Sequence, residues 1–108
     1  MDGIPERCVD GAALLSPRAA SSMGALVHAD WAIDGTASMQ RRLEVQDFKA
    51  ALALVNRIGA AAEEENHHPD LLISDYRFVS VILTTHDAGG LTANDFVMAR
   101  RCDALASE

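Results

Sequence analysis

The sequence predicts an α+β fold of two layers, an antiparallel four-stranded sheet packed against helices in the order α-β-β-α-β-β-α. Three observations carry that expectation. Residues 31–46 alternate around a turn signal, residues 76–85 alternate again, and capping residues open helical periodicities at positions 16, 47 and 92.

In chain order, residues 1–15 have little periodicity, and their Gly, Pro and Asp content predicts a loose lead-in to a single domain over residues 16–108. Ser16-Pro17 reads as an N-cap followed by proline at the first helical position. It opens a short helix to about Val27, with Ala20, Met23 and Leu26 or Val27 on one face and Gly24 as a weak point. Trp31-Ala32-Ile33, the turn residues Asp34-Gly35-Thr36 and Met39–Gln46 form an expected hairpin. Its second strand sets Met39, Arg41, Leu43 and Val45 against Gln40, Arg42, Glu44 and Gln46, as a sheet covered on one side requires.

Asp47 caps the strongest helix, in which Phe48, Leu52, Val55, Ile58 or Gly59, and Ala62 recur at helical spacing. Asn66 and Pro69 end it, since the residue before a proline is pushed out of the helical region. Two strands follow, Leu71–Ser74 and Tyr76–Thr85. The second is apolar on both faces at its centre, which suits a central or interface strand. Asp87-Ala88-Gly89-Gly90 then reads as a flexible turn. Thr92 caps a last helix, with Asp95 in the capping-box position and Met98, Cys102 and Leu105 at helical spacing. Trp31 and Phe48 are expected in the core or at a subunit contact.

Composition narrows the function classes. The chain has 108 residues, 49% hydrophobic and 23% charged, the balance of a globular domain. No apolar run approaches the roughly 18 residues that would span a bilayer. A net charge of −7 repels phosphate backbones and argues against direct nucleic-acid binding. Residues 1–8 lack a basic stretch followed by an apolar one, so cytoplasmic residence is expected. Cys8 and Cys102 have no metal spacing and suit a reducing compartment.

The chemistry gathers at Glu63-Glu64-Glu65-Asn66-His67-His68-Pro69, with Thr84-Thr85-His86-Asp87 later in the chain. Histidine is the side chain that exchanges protons near neutral pH, so these stretches are the candidate acid/base site. Three glutamates at a helix C-terminus conflict with the dipole by roughly 0.3 to 1 kcal/mol each if exposed, which marks the spot further. Convergence of the three histidines requires the helix end and the end of the last strand to meet at one edge of the layer. Each residue also has a plainer reading: adjacent histidines on a loop are often surface residues, Glu63 a solvated helix residue, and Asp95 a cap. His28 has no partner in sequence and reads as structural or exposed. Three imidazoles could hold zinc, but no spacing presents two ligands from one regular element, so no metal is expected.

Glu63, three residues, His67-His68-Pro69, six residues, Tyr76, nine residues, His86, eight residues and Asp95 resemble the pattern of the pterin-4a-carbinolamine dehydratases. Leu83–Thr92 is similar to a second block of that family. The resemblance runs from about Asp47 to Asp103, with Trp31 matching upstream, and departs at Leu43-Glu44-Val45, where members carry aromatic residues. It implies dehydration of 4a-hydroxytetrahydropterin to quinonoid dihydropterin with no metal or organic cofactor. By position it implies His67 and His86 as acids on alternative faces of the pterin, and His68 as a binding group able to assist as base. Asn66, Thr84, Thr85 and Asp87 would line the pocket, and Glu63 and Asp95 would orient the histidines. The resemblance further implies a homodimer or homotetramer. Its alternative is a non-catalytic assembly or transcriptional-regulatory protein, a role some members of the family play.

Overall fold

The computed structural model describes residues 3–108. Its elements are α1 (Pro17–Gly24), β1 (Ala32–Asp34), β2 (Ser38–Glu44), α2 (Phe48–Glu65), β3 (Asp70–Ser74), β4 (Phe78–Leu83), a 3-10 turn (His86–Ala88) and α3 (Ala93–Ala106). The four strands form one antiparallel sheet in the order β1-β2-β4-β3, so the apolar strand β4 is internal as its composition requires. The α+β class and the element order are those the sequence predicts.

Alternation fixes which sheet face is covered. Met39, Arg41 and Leu43 of β2 and Val79, Val81 and Leu83 of β4 are buried, whereas Gln40, Arg42 and Glu44 are exposed. α2 and α3 cover this face and pack on each other, with Phe96, Met98, Ala99 and Cys102 of α3 joining the same core. Burying each of the larger apolar side chains stabilises the fold by about 1.5 to 3 kcal/mol.

Arg41 is the exception on the buried face. Its Nη1 donates to Asp103 of α3 at 2.6 Å, and the same carboxylate accepts from the Trp31 indole at 2.8 Å and the His28 backbone N–H at 2.9 Å. One carboxylate thus ties β2, the entry to β1 and the loop after α1 to the last helix.

Several local expectations change. α2 buries Ala51, Leu54, Ile58, Ala61, Ala62 and Glu65, while Phe48 and Leu52 are exposed. The alanine-rich helix carries two overlapping apolar stripes, and the one with small residues packs inward because it allows close approach to the sheet and α3. Phe48 is therefore not a core residue of this chain, whereas Trp31 is 6% exposed and belongs to the core. α1 ends at Gly24, short of Val27, and β4 is shorter at both ends than the predicted strand. Asp75 and Tyr76 adopt left-handed backbone conformations (φ 47° and 53°), which places Tyr76 in the β3–β4 turn rather than in a strand.

The turn after β4 is closed rather than flexible. The Thr85 carbonyl accepts the N–H groups of Ala88, Gly89 and Gly90, and the Thr85 N–H donates to the Gly90 carbonyl at 3.0 Å. Gly90 has to be glycine. A Cβ there would stand 2.3 Å from the Thr36 carbonyl oxygen in the β1–β2 turn, which accepts the neighbouring Leu91 N–H.

The lead-in forms neither helix nor strand, yet its described part, residues 3–15, is pinned to the domain rather than loose. Ile4 is buried, the Cys8 N–H donates to Glu65, and the Leu15 N–H donates to the Leu91 carbonyl. Met1 and Asp2 lie outside the described residues.

Candidate functional site

α2 delivers the first histidines through the way it stops. Asn66 takes a left-handed conformation (φ 51°), the Asn66 N–H returns to the Glu63 carbonyl and the His67 N–H to the Ala62 carbonyl. Asparagine tolerates this conformation better than branched residues, and the reversal turns His67 and His68 off the helix axis. Pro69 then sends the chain into β3.

The three terminal glutamates each have a partner. Glu63 bonds the His68 ring at Nε2, and Glu64 accepts from Arg101 at 2.7 Å. Glu65, with only 2% of its side chain exposed, accepts from the Cys8 N–H, Arg7 and Arg101. Burial pushes the Glu65 carboxyl up, but the Cys8 N–H and the Arg7 and Arg101 guanidiniums outweigh it and hold it below the ordinary 4.5. The helix-dipole conflict seen in the sequence is thus offset by tertiary ion pairs.

His67 is anchored at depth. Its Nε2 lies 2.7 Å from Oδ1 of Asp95, whose side chain is wholly buried, while the ring itself is 12% exposed. The other oxygen of Asp95 accepts the Thr92 N–H at 2.9 Å and the Thr85 hydroxyl at 2.8 Å. The capping role and the histidine role read for Asp95 are therefore held together, one by each oxygen. With Oδ2 accepting from Thr85, the Thr92 hydroxyl is the donor in its 2.8 Å bond to Thr85. This chain of hydroxyls, Thr92 to Thr85 to Asp95 to His67, makes Nε2 the hydrogen-bearing nitrogen of the ring. Nδ1 is then the nitrogen that can exchange a proton with a ligand.

Thr84 and His86 come from the other direction. The Thr84 hydroxyl donates to the Ala37 carbonyl at 2.7 Å, fastening the end of β4 to the β1–β2 turn. His86 opens the 3-10 turn just beyond β4 and is exposed. A cleft of ≈ 250 Å³ is lined by Asn66, His67, His68, Thr84, Thr85, His86 and Asp87. Those seven are the pocket residues singled out in the sequence; Glu63 and Asp95 stand behind two of them as bonding partners. His28 lies elsewhere, beside Asp30 and Asp103.

Sequence reasoning did not identify three contributors. Thr92 was read as a cap alone, yet its hydroxyl also bonds Thr85. Asn94 and the lead-in residues Val9–Ala12 line an adjoining cavity with His67. Nothing in the local pattern around Val9–Ala12 signals this, because a contact across some 85 positions in the chain is invisible to periodicity.

Residues 14–105 match the family described as pterin 4 alpha carbinolamine dehydratase. A protein of Nocardia farcinica, provisionally named a pterin-4-alpha-carbinolamine dehydratase, is 46% identical over 77 residues, covering 71% of this chain and 79% of its own. One of the same provisional name from Halorhodospira halophila is 39% identical over 101 residues, covering 93% of this chain and 91% of its own. Among solved structures, a transcriptional coactivator/pterin dehydratase from Brucella melitensis superposes with a TM-score of 0.78 at 29% identity, covering 85% of this chain and 97% of its own. The layered α+β domain with a histidine cleft where β3 begins and β4 ends is of the pterin dehydratase class. The chain belongs to the pterin 4 alpha carbinolamine dehydratase family.

Proposed function

We propose that this protein is a hydro-lyase that removes water from 4a-hydroxytetrahydropterin to give quinonoid dihydropterin, using histidines and no metal or organic cofactor. The observation that carries the reading is the convergence of His67, His68 and His86 on one ≈ 250 Å³ cleft. In the reaction the C4a–O bond breaks as an imidazolium protonates the leaving hydroxyl. The proton of the adjacent ring N–H passes to a base, and its electron pair completes the C=N bond. Imidazole serves in either capacity, since its ordinary pKa of about 6.5 lies near working pH.

His67, presenting Nδ1, and His86 act as acids on alternative faces of the ring. His68, bonded to Glu63 and half exposed, binds the ring and assists as base. Asn66, Thr84, Thr85 and Asp87 contribute the walls. A group of imidazoles and carboxylates gathered in one cleft has no use in a pure scaffold, which favours the enzyme over an assembly or regulatory role.

The net charge of −7 weighs against direct binding to nucleic acid, and we read the protein as one that works on a small molecule in the cytoplasm. Among the described residues no helix is long and apolar enough to cross a membrane. Exposed Phe48 and Leu52 on α2 support self-association as a homodimer or homotetramer. The test is turnover of 4a-hydroxytetrahydropterin by the wild type and by His67→Ala and His86→Ala. Each variant should lose about 10²- to 10⁴-fold in kcat, as expected for a positioned acid. Unchanged turnover in both would refute the assignment.

A further inference from the structure

The lead-in meets the domain at three points, and each stands close in sequence to a member of the hydrogen-bonded chain that ends on His67. The Cys8 N–H donates at 2.9 Å to Oε1 of Glu65, two residues before His67. The side-chain amide of Asn94, next to Asp95, grips Val9 twice: Oδ1 accepts the Val9 N–H at 3.0 Å and Nδ2 donates to the Val9 carbonyl at 2.8 Å. The Leu15 N–H donates at 2.9 Å to the carbonyl of Leu91, next to Thr92. Glu65 and Asn94 are both buried, away from competing water.

Two of these grips come one residue apart. The Cα atoms of Cys8 and Val9 are about 3.8 Å apart across a peptide unit that cannot stretch. Glu65 closes α2 and Asn94 lies in the first turn of α3, so the step from Cys8 to Val9 sets the gap between those two helix ends. The 2.7 Å bond from His67 to Asp95 crosses the same gap. Arg101 also ties Glu64 and Glu65 to α3, but from about 9 Å further along that helix than Asp95. It holds the helices side by side and leaves the spacing at the histidine to the lead-in. The side chain of Val9 is 61% exposed, so the grip is on its peptide groups and not on a packed residue.

We propose that the Cys8–Val9 step is a brace for the His67–Asp95 pair, which makes Glu65 and Asn94 positioning residues for a ring they do not bond. The matched family region begins at residue 14, so the brace lies ahead of it. Its effect on turnover rests on the reading of His67 as an acid in pterin dehydration; its effect on the ring does not.

The experiment opens one grip from its two sides in the full chain. Val9→Pro removes the N–H that Asn94 accepts and takes away no buried side chain, and Asn94→Ala removes the amide. Each should move the His67 ring nitrogens from the Nε2–H pattern toward tautomer averaging. Each should also lower kcat for 4a-hydroxytetrahydropterin about tenfold or more with KM little changed, the scale of a slightly misplaced catalytic group. The double variant should be no worse than either, since both remove one interaction. Asp103→Ala, which weakens the fold through Arg41 and Trp31 instead, should leave the His67 nitrogens where they are. Unmoved His67 nitrogens in both single variants, equal movement in Asp103→Ala, or moved nitrogens with unchanged kcat would overturn the brace. Wild-type protein without turnover, but with the same response of the His67 nitrogens, would sink the pterin reading and leave the brace standing.

Discussion

Nε2 of His67 lies 2.7 Å from Oδ1 of Asp95, and the carboxylate it meets is fully buried at the N-terminus of the helix it also caps. An imidazole so held has Nε2 committed to the carboxylate, which leaves Nδ1 for the proton exchange proposed. Asp95→Asn keeps the size of the side chain but removes its charge and lets an amide face the ring. Turnover should fall about 10²-fold with substrate affinity little changed, because the wrong tautomer of His67 would be presented. The weakened cap should cost about 1 kcal/mol of stability. Steady-state kinetics with denaturant unfolding checks both parts, and the nitrogen chemical shifts of the His67 ring report the tautomer directly.

The acid limb of stability should belong in large part to Glu65. Its folded carboxyl titrates below the ordinary 4.5, so its contribution is complete above that pH and is lost as pH falls through the lower folded value. Glu65→Gln should therefore flatten the decline in unfolding free energy below about pH 4.5 while lowering stability at neutral pH. Glu65→Ala, which strands Arg7, Arg101 and the Cys8 N–H, should cost about 3 kcal/mol at pH 7. Denaturant titrations at neutral and acid pH separate these outcomes.

Asp103 gives a contrasting case of a buried ion pair. Asp103→Ala leaves Arg41 on the covered face of the sheet with Nε already unpartnered, and should cost about 3 to 5 kcal/mol. Pairing it with Arg41→Met removes the stranded charge and should recover a substantial part of that loss, although the Trp31 indole stays without its acceptor. Thermal unfolding of the single and double variants decides the matter: a double variant no more stable than Asp103→Ala contradicts it.

The two cysteines should behave as inert thiols. Burial, followed by the charges of Glu65 and Asp95, pushes Cys8 up to about 12, and burial, followed by Asp103, pushes Cys102 up to about 12. At neutral pH almost no thiolate is present, so iodoacetamide should label neither residue at an appreciable rate until denaturant is added. Rapid labelling of the folded protein at Cys8 would show that the lead-in detaches from Glu65 and Asn94.

Much of this was legible along the chain because its signals are local. Ser16, Asp47 and Thr92 cap the helices as read, the alternation of β2 and β4 is the alternation of burial, and the histidine stretches carry the pattern of the family. What escaped is tertiary. The inward face of α2 could not be chosen from its sequence, because Ala51, Leu54 and Ala61 compete with Phe48 and Leu52 and only the packing partners break the tie. The placement of Tyr76 was lost to two left-handed residues that neither Asp75 nor Tyr76 advertises. The lead-in looked unstructured because its order comes from side chains of Glu65 and Asn94, far away in sequence, rather than from any repeat of its own.

The meeting of the three imidazoles around one ligand is most directly tested by following the ring resonances of the four histidines during titration with a non-reacting dihydropterin. His67, His68 and His86 should shift together and saturate at one ligand per chain, with His28, bonded beside Asp30 and Asp103, unmoved. Shifts confined to the adjacent pair, or a response at His28 in place of His86, would contradict a shared site.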